Sequence, residues 1–174
     1  MKKQMKSIVA LFSICAVIAI LLAATNVITA PMIKKNEDEA ATKAMLEVLP
    51  NGEDFKSIDI SKFNLPSTVT EAYREKNGGY IFKMITSGFS TGMVILCGIN
   101  SDGTVSGAVC LASSETLGYE KTFGDTLKGI DATTVGSVDT ISGATKTTEA
   151  YRAAVRDALT AFAVLGGDSY YAAS

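Results

Sequence analysis

Apolar residues crowd one end of this chain. No charge occurs in the 27 residues between Lys6 and Lys34, and the apolar run that starts at Ser7 continues through Val27 and Ile28. At about 1.5 Å of rise per residue, some 20 helical residues cross a hydrocarbon core of about 30 Å. Residues 7–30 are therefore predicted to form one transmembrane helix. Beyond it, Asn36 to Leu49 has helical spacing: Ala41, Ala44, Met45, Val48 and Leu49 share a face, and Pro50-Asn51-Gly52 ends the run. The stretch from Lys56 to Leu65 fits neither period, and Pro66 interrupts it. From Val69 the pattern becomes strand-like: 69–75, 80–86, 93–99 and 104–112, with Asn77-Gly78 and Asp102-Gly103 as hairpin turns. Successive short connections predict an antiparallel meander. From about Thr148 to Leu165, Tyr151, Ala154, Val155, Ala158, Leu159 and Phe162 return to helical spacing, and Gly166-Gly167 reads as the stop. The predicted class is α+β behind a membrane anchor.

Charge orients that anchor. Lys2, Lys3 and Lys6 precede it with no anion, whereas the chain from Lys34 onward carries a net −5. The positive-inside rule then places residues 1–6 in the cytoplasm and the remainder outside. The expected layout is a transmembrane helix over 7–30, a membrane-proximal helix and linker over 31–68, and an extracytoplasmic domain over 69–174. A cleaved signal peptide is the rival; its apolar core would exceed the usual 7–15 residues, and Pro31 would follow the cleavage site directly.

Composition removes several chemistries. The chain has no histidine and no tryptophan, so neither Ser-His-Asp nor Cys-His nucleophiles can be built. Cys15, Cys97 and Cys110 form no CxxC pair, and no metal site is expected. In a hairpin turning at Asp102-Gly103, Cys97 faces Ala108 and Cys110 faces Ile95, a diagonal relation poorly suited to a disulfide. Two buried thiols are expected, with Cys15 in lipid. No catalytic side chain is assigned, and a carried cofactor is the natural source of reactivity.

The run Asp139-Thr-Ile-Ser-Gly-Ala-Thr145-Lys-Thr-Thr148 is a small-residue turn feeding a helix. Outward amides, the helix dipole and the small residues Gly143 and Ala144 suit a phosphate there, with Lys146 offsetting charge. An ordinary N-cap through Thr145, Thr147 or Thr148 explains the same residues without a ligand.

The segment Asp139 to Thr145 resembles the flavinylation motif of the FMN-binding domains found in the G-type component of Rnf complexes and the C-type component of the sodium-pumping quinone reductase. The likeness extends to Gly79–Gly92, to the hairpin Gly98–Gly107, to Ser114-Glu-Thr-Leu-Gly118 and to Asn26–Pro31, covering about residues 5 to 165. Leu117 stands where the family has proline, Tyr119-Glu120 where Leu-Gly is common, and 120–138 is short. The compact length is closer to the Rnf G type.

That resemblance implies FMN held covalently through a phosphoester on Thr145, placed there by a flavin transferase. Asp139 would assist the transfer or cap the turn to Ser142, while Ser142 and Thr148 would donate to phosphate oxygens. Glu115, Thr116, Leu117 and Gly118 would approach the ring or ribityl chain. As alternative acceptors, Thr147 and Thr148 are expected to lie away from the pocket. The implied role is electron carriage within a membrane-bound ferredoxin:NAD oxidoreductase that moves ions. Its partners would be other components of that complex and the bilayer, not nucleic acid, and no catalysis is expected from this chain alone. A stand-alone extracytoplasmic flavoprotein and a flavin-free anchored binding or assembly module are the alternatives.

Overall fold

The computed structural model describes residues 12, 14–19, 21–23, 25, 39 and 41–171, and the chain divides into two compact units, Met1–Thr42 and Lys43–Ser174. In the first, the described residues between 12 and 25 are helical. Among the described residues no helix is long and apolar enough to cross a membrane, and more than half of the predicted span over 7–30 lies outside them, as do residues 1–6.

The second unit opens with helical residues 43–48 and continues into a five-stranded antiparallel sheet. Its strands are β1 (Lys56–Ile58), β2 (Val69–Arg74), β3 (Tyr80–Thr86), β4 (Met93–Ile99) and β5 (Val105–Ala112), ordered in space as in sequence. The meander thus has one strand more than the four expected: β1 comes from the stretch that fitted neither period, and its Lys56 pairs with Arg74. The two predicted cysteine pairings hold, Cys97 opposite Ala108 and Ile95 opposite Cys110, although next to the turn Ile99 faces Val105 rather than Ser106, and all three cysteines are free. Cys97 is buried but Cys110 only partly so.

Strands β3 and β4 are apolar on both faces because both faces are covered. Tyr80, Phe82, Met84, Met93, Ile95, Cys97 and Ile99 join the main core with the C-terminal helix, whereas Ile81 and Leu96 pack against Val48 and Leu49. The second contact is close. A Cβ on Gly98 would lie 2.4 Å from the Val48 carbonyl oxygen, so only glycine lets the helix end approach the sheet there. A register shift between Gly98 and Ile99 reverses side-chain parity along β5, which is why Val105 and Ala108 both reach the main core.

The C-terminal helix runs Thr145–Tyr171, longer than expected at both ends. Gly166-Gly167 does not stop it. Glycine costs a helix interior only about 1 kcal/mol relative to alanine, and core packing of Leu159, Ala161 and Leu165 carries the helix into that pair. Three 3-10 turns, Tyr119–Lys121, Phe123–Leu127 and Val135–Ser137, fill the segment between β5 and this helix.

Candidate functional site

A cleft of about 410 Å³ opens where three connections meet. The β3–β4 loop supplies Phe89, the segment after β5 supplies Glu115, Thr116, Leu117, Tyr119 and Glu120, and the entry to the C-terminal helix supplies residues 143–147. Each contribution is local in sequence, and the sheet brings them together.

Glu115 fastens the three connections. Its Oε1 accepts the Ser90 N–H at 2.9 Å, and its Oε2 accepts the Thr147 hydroxyl at 2.5 Å. The junction leaves no room for a side chain on Gly88: a Cβ there would lie 2.8 Å from Glu115 Oε1 and 2.9 Å from Thr147 Cα. The carboxylate expected to reach the flavin ring or ribityl chain therefore has two protein partners, while still lining the cleft.

The helix entry is built without a side-chain cap. Ala144, which ranks poorly as an N-cap, accepts the Thr148 N–H through its carbonyl at 3.0 Å, and Gly143 before it adopts φ +85°. The Lys146 and Thr147 amides have no partner among the described residues and sit at the cleft. With the dipole and the exposed Lys146 ammonium, they make this end attractive to an anion.

The threonines of this turn differ in what their hydroxyls do. Thr148 is fully buried; its hydroxyl donates to the Ala144 carbonyl at 3.0 Å and accepts the Ile141 N–H at 3.2 Å. The hydroxyl expected to donate to a phosphate thus has two partners within the turn. Thr147, expected away from the pocket, lines it instead with its hydroxyl on Glu115. Thr145 is exposed at the cleft, and its hydroxyl has no partner among the described residues.

Of the remaining expected residues, Gly143, Ala144, Lys146, Thr116 and Leu117 line the cleft. Asp139, Ser142 and Gly118 do not. Asp139 and Ser142 are exposed, with no hydrogen bond between them, so the expected cap is absent. Gly118 instead turns the chain, at φ +74°, into the 3-10 turn Tyr119–Lys121.

Four lining residues lay outside the sequence expectation: Phe89, Tyr119, Glu120 and Thr147. Phe89 had a signal, being a large apolar side chain inside the Gly-rich turn Gly88–Gly92. Phe89, Leu117 and Tyr119 are 71, 62 and 40% exposed, an apolar wall suited to a flat ring. Behind it Glu120 is only 2% exposed. The Ser113 hydroxyl donates to its Oε1 at 2.8 Å, and its Oε2 has no partner among the described residues. Burial chiefly, with the Glu120 charge adding, pushes the nearby Cys110 thiol up from its ordinary value.

An anion-friendly helix entry at one end of a cleft and an apolar wall lining it fit a phosphorylated aromatic ligand, and the FMN-binding domain family matches residues 88–160. The G-type component of the Na(+)-translocating ferredoxin:NAD(+) oxidoreductase complex of Acetobacterium woodii is 34% identical over 122 residues, covering 62% of this chain and 59% of that protein. The G-type component of the ion-translocating oxidoreductase complex of Methanosarcina acetivorans is 30% identical over 176 aligned positions, covering 91% of this chain and 94% of that protein. The chain belongs to this G-type family of ion-translocating oxidoreductase components.

Proposed function

We propose that this protein is the FMN-carrying electron-transfer component of an Rnf-type, ion-translocating ferredoxin:NAD oxidoreductase complex. FMN is bonded through its phosphate to Thr145. The observation that carries the assignment is the contrast among three hydroxyls: those of Thr147 and Thr148 are held by Glu115 and by Ala144, while that of Thr145 is free at the cleft. In the attachment step the Thr145 hydroxyl loses its proton and its oxygen bonds to phosphorus. The leaving group of an activated FMN donor departs with the electrons of the broken P–O bond, on a flavin transferase that supplies the base.

The cleft residues fit the group to be held. Amides of the first helical turn and Lys146 face the phosphate charge, and Phe89, Leu117 and Tyr119 cover the ring. Once bound, flavin supplies reversible electron transfer, and the surroundings set its potential and exposure. The asymmetry of Lys2, Lys3 and Lys6 supports a single span over 7–30 with the domain outside the cytoplasm. Other components of the complex and the bilayer are then the partners, and the chain alone is not a catalyst.

The test is intact mass after co-expression with a flavin transferase. Wild type, Thr147→Val and Thr148→Val gain the mass of FMN, and Thr145→Val does not. Because the Thr145 hydroxyl has no partner among the described residues, that variant keeps wild-type stability within about 0.5 kcal/mol. FMN mass retained in Thr145→Val overturns the attachment site, and a wild type that gains none overturns the flavin assignment.

A further inference from the structure

Glu120 is a buried carboxylate at the cleft, and no described residue completes its hydrogen bonding. It is 2% exposed; Ser113 serves Oε1 at 2.8 Å, Oε2 has no partner, and no Lys or Arg pairs with it among the described residues. A buried acceptor without a donor is destabilising, more so when charged. Buried polar groups are nearly always satisfied, so an exception beside a cleft calls for a donor that is not part of the chain.

The chemistry of the cleft restricts that donor. The helix entry, with its amides and Lys146, suits an acceptor-rich anion, and none of its described groups bonds Glu120. Glu120 belongs to the same 3-10 turn as Tyr119, part of the apolar wall. A flat ring against that wall and carrying an N–H brings the missing donor to the same turn.

Resting on the FMN reading above, we propose that Glu120 is the ring-facing acceptor of the site: it takes a hydrogen bond from an N–H of the bound flavin and sets its reduction potential. A carboxylate beside the ring opposes the added electrons, so Glu120 holds the potential low. Glu120→Gln keeps the shape and the Ser113 contact while removing the charge; Glu120→Ala removes the acceptor as well.

The experiment loads the full chain with FMN by co-expression with a flavin transferase. It then reads two quantities: the reduction potential by spectroelectrochemistry, and the rise in melting temperature between unloaded and loaded protein. Both variants should show a higher potential than wild type. Glu120→Ala should also gain less melting temperature on loading, because its orphaned oxygen is gone from the unloaded state. Flavin-loaded variants with the wild-type potential and the wild-type melting gain overturn the role of Glu120 and leave the FMN reading standing. A wild type that takes up no FMN overturns both. Glu120→Gln carries the potential measurement should Glu120→Ala not fold.

Discussion

The Glu115 junction is the sharpest stability test of the cleft. Thr147→Val deletes the 2.5 Å donor to Oε2 while preserving volume at a position 6% exposed. Hydrogen bonds to charged groups contribute about 1.5–3 kcal/mol. Glu115 is only half-buried, so water replaces part of that, and about 1.5 kcal/mol is expected for Thr147→Val. Glu115→Ala removes the Ser90 N–H bond as well and strands the buried Thr147 hydroxyl, so its cost should approach about 3 kcal/mol. In a domain of this size that corresponds to a fall in melting temperature of roughly 10 °C. The assay is urea unfolding of the unloaded protein for both single variants and the double variant. Once Glu115 is gone, Thr147→Val has no charged acceptor left to lose, so the double variant should be more stable than the summed costs by about 1.5 kcal/mol. Costs that add within about 0.5 kcal/mol would refute the claim that this contact ties the helix to the strand loops.

Three further outcomes are expected. Gly124→Ala should destabilise by about 3 kcal/mol or more in the same unfolding assay, because its Cβ would meet the Ala108 carbonyl at 1.8 Å and the Tyr151 hydroxyl at 2.7 Å. Tyr151→Phe removes a buried hydroxyl without a partner and should leave stability unchanged or raised by up to about 1 kcal/mol; a comparable loss would reveal a partner. Burial pushes the Cys97 thiol up to about 12 from 9.0, so the unfolded chain ionises first. The stability this group contributes is complete below pH 9 and is lost as pH rises towards 12. Melting temperatures should therefore decline above pH 9 in wild type and decline less in Cys97→Ala, and alkylation of Cys97 at neutral pH should wait for unfolding.

The sheet was largely legible in sequence, and the cleft only in fragments. Alternation and two Gly turns marked β2 to β5, but Cys97 meets Ala108 as expected only because the register shift between Gly98 and Ile99 makes up for a turn one residue longer than Asp102-Gly103 alone. β1 was not legible because three residues carry no period, and its pairing is decided by β2. The C-terminal helix ran through its glycines because packing outweighed a local cost. Phe89, Tyr119 and Glu120 come from separate connections, and no pattern along one segment can announce a wall assembled from two. The threonines show where such reading ends. Thr145 and Thr148, three residues apart, lie on the same side of a helix, yet their hydroxyls are used differently. A threonine in a helix can instead turn its hydroxyl back to the carbonyl four residues earlier. Thr148 does so on Ala144 and takes the Ile141 N–H as well, while Thr145, at the first position, has no preceding helical carbonyl to take. Place in the first turn thus frees one hydroxyl and consumes the other. The spacing was visible in the chain, but the choice of partner had to await the packing of the turn beneath it.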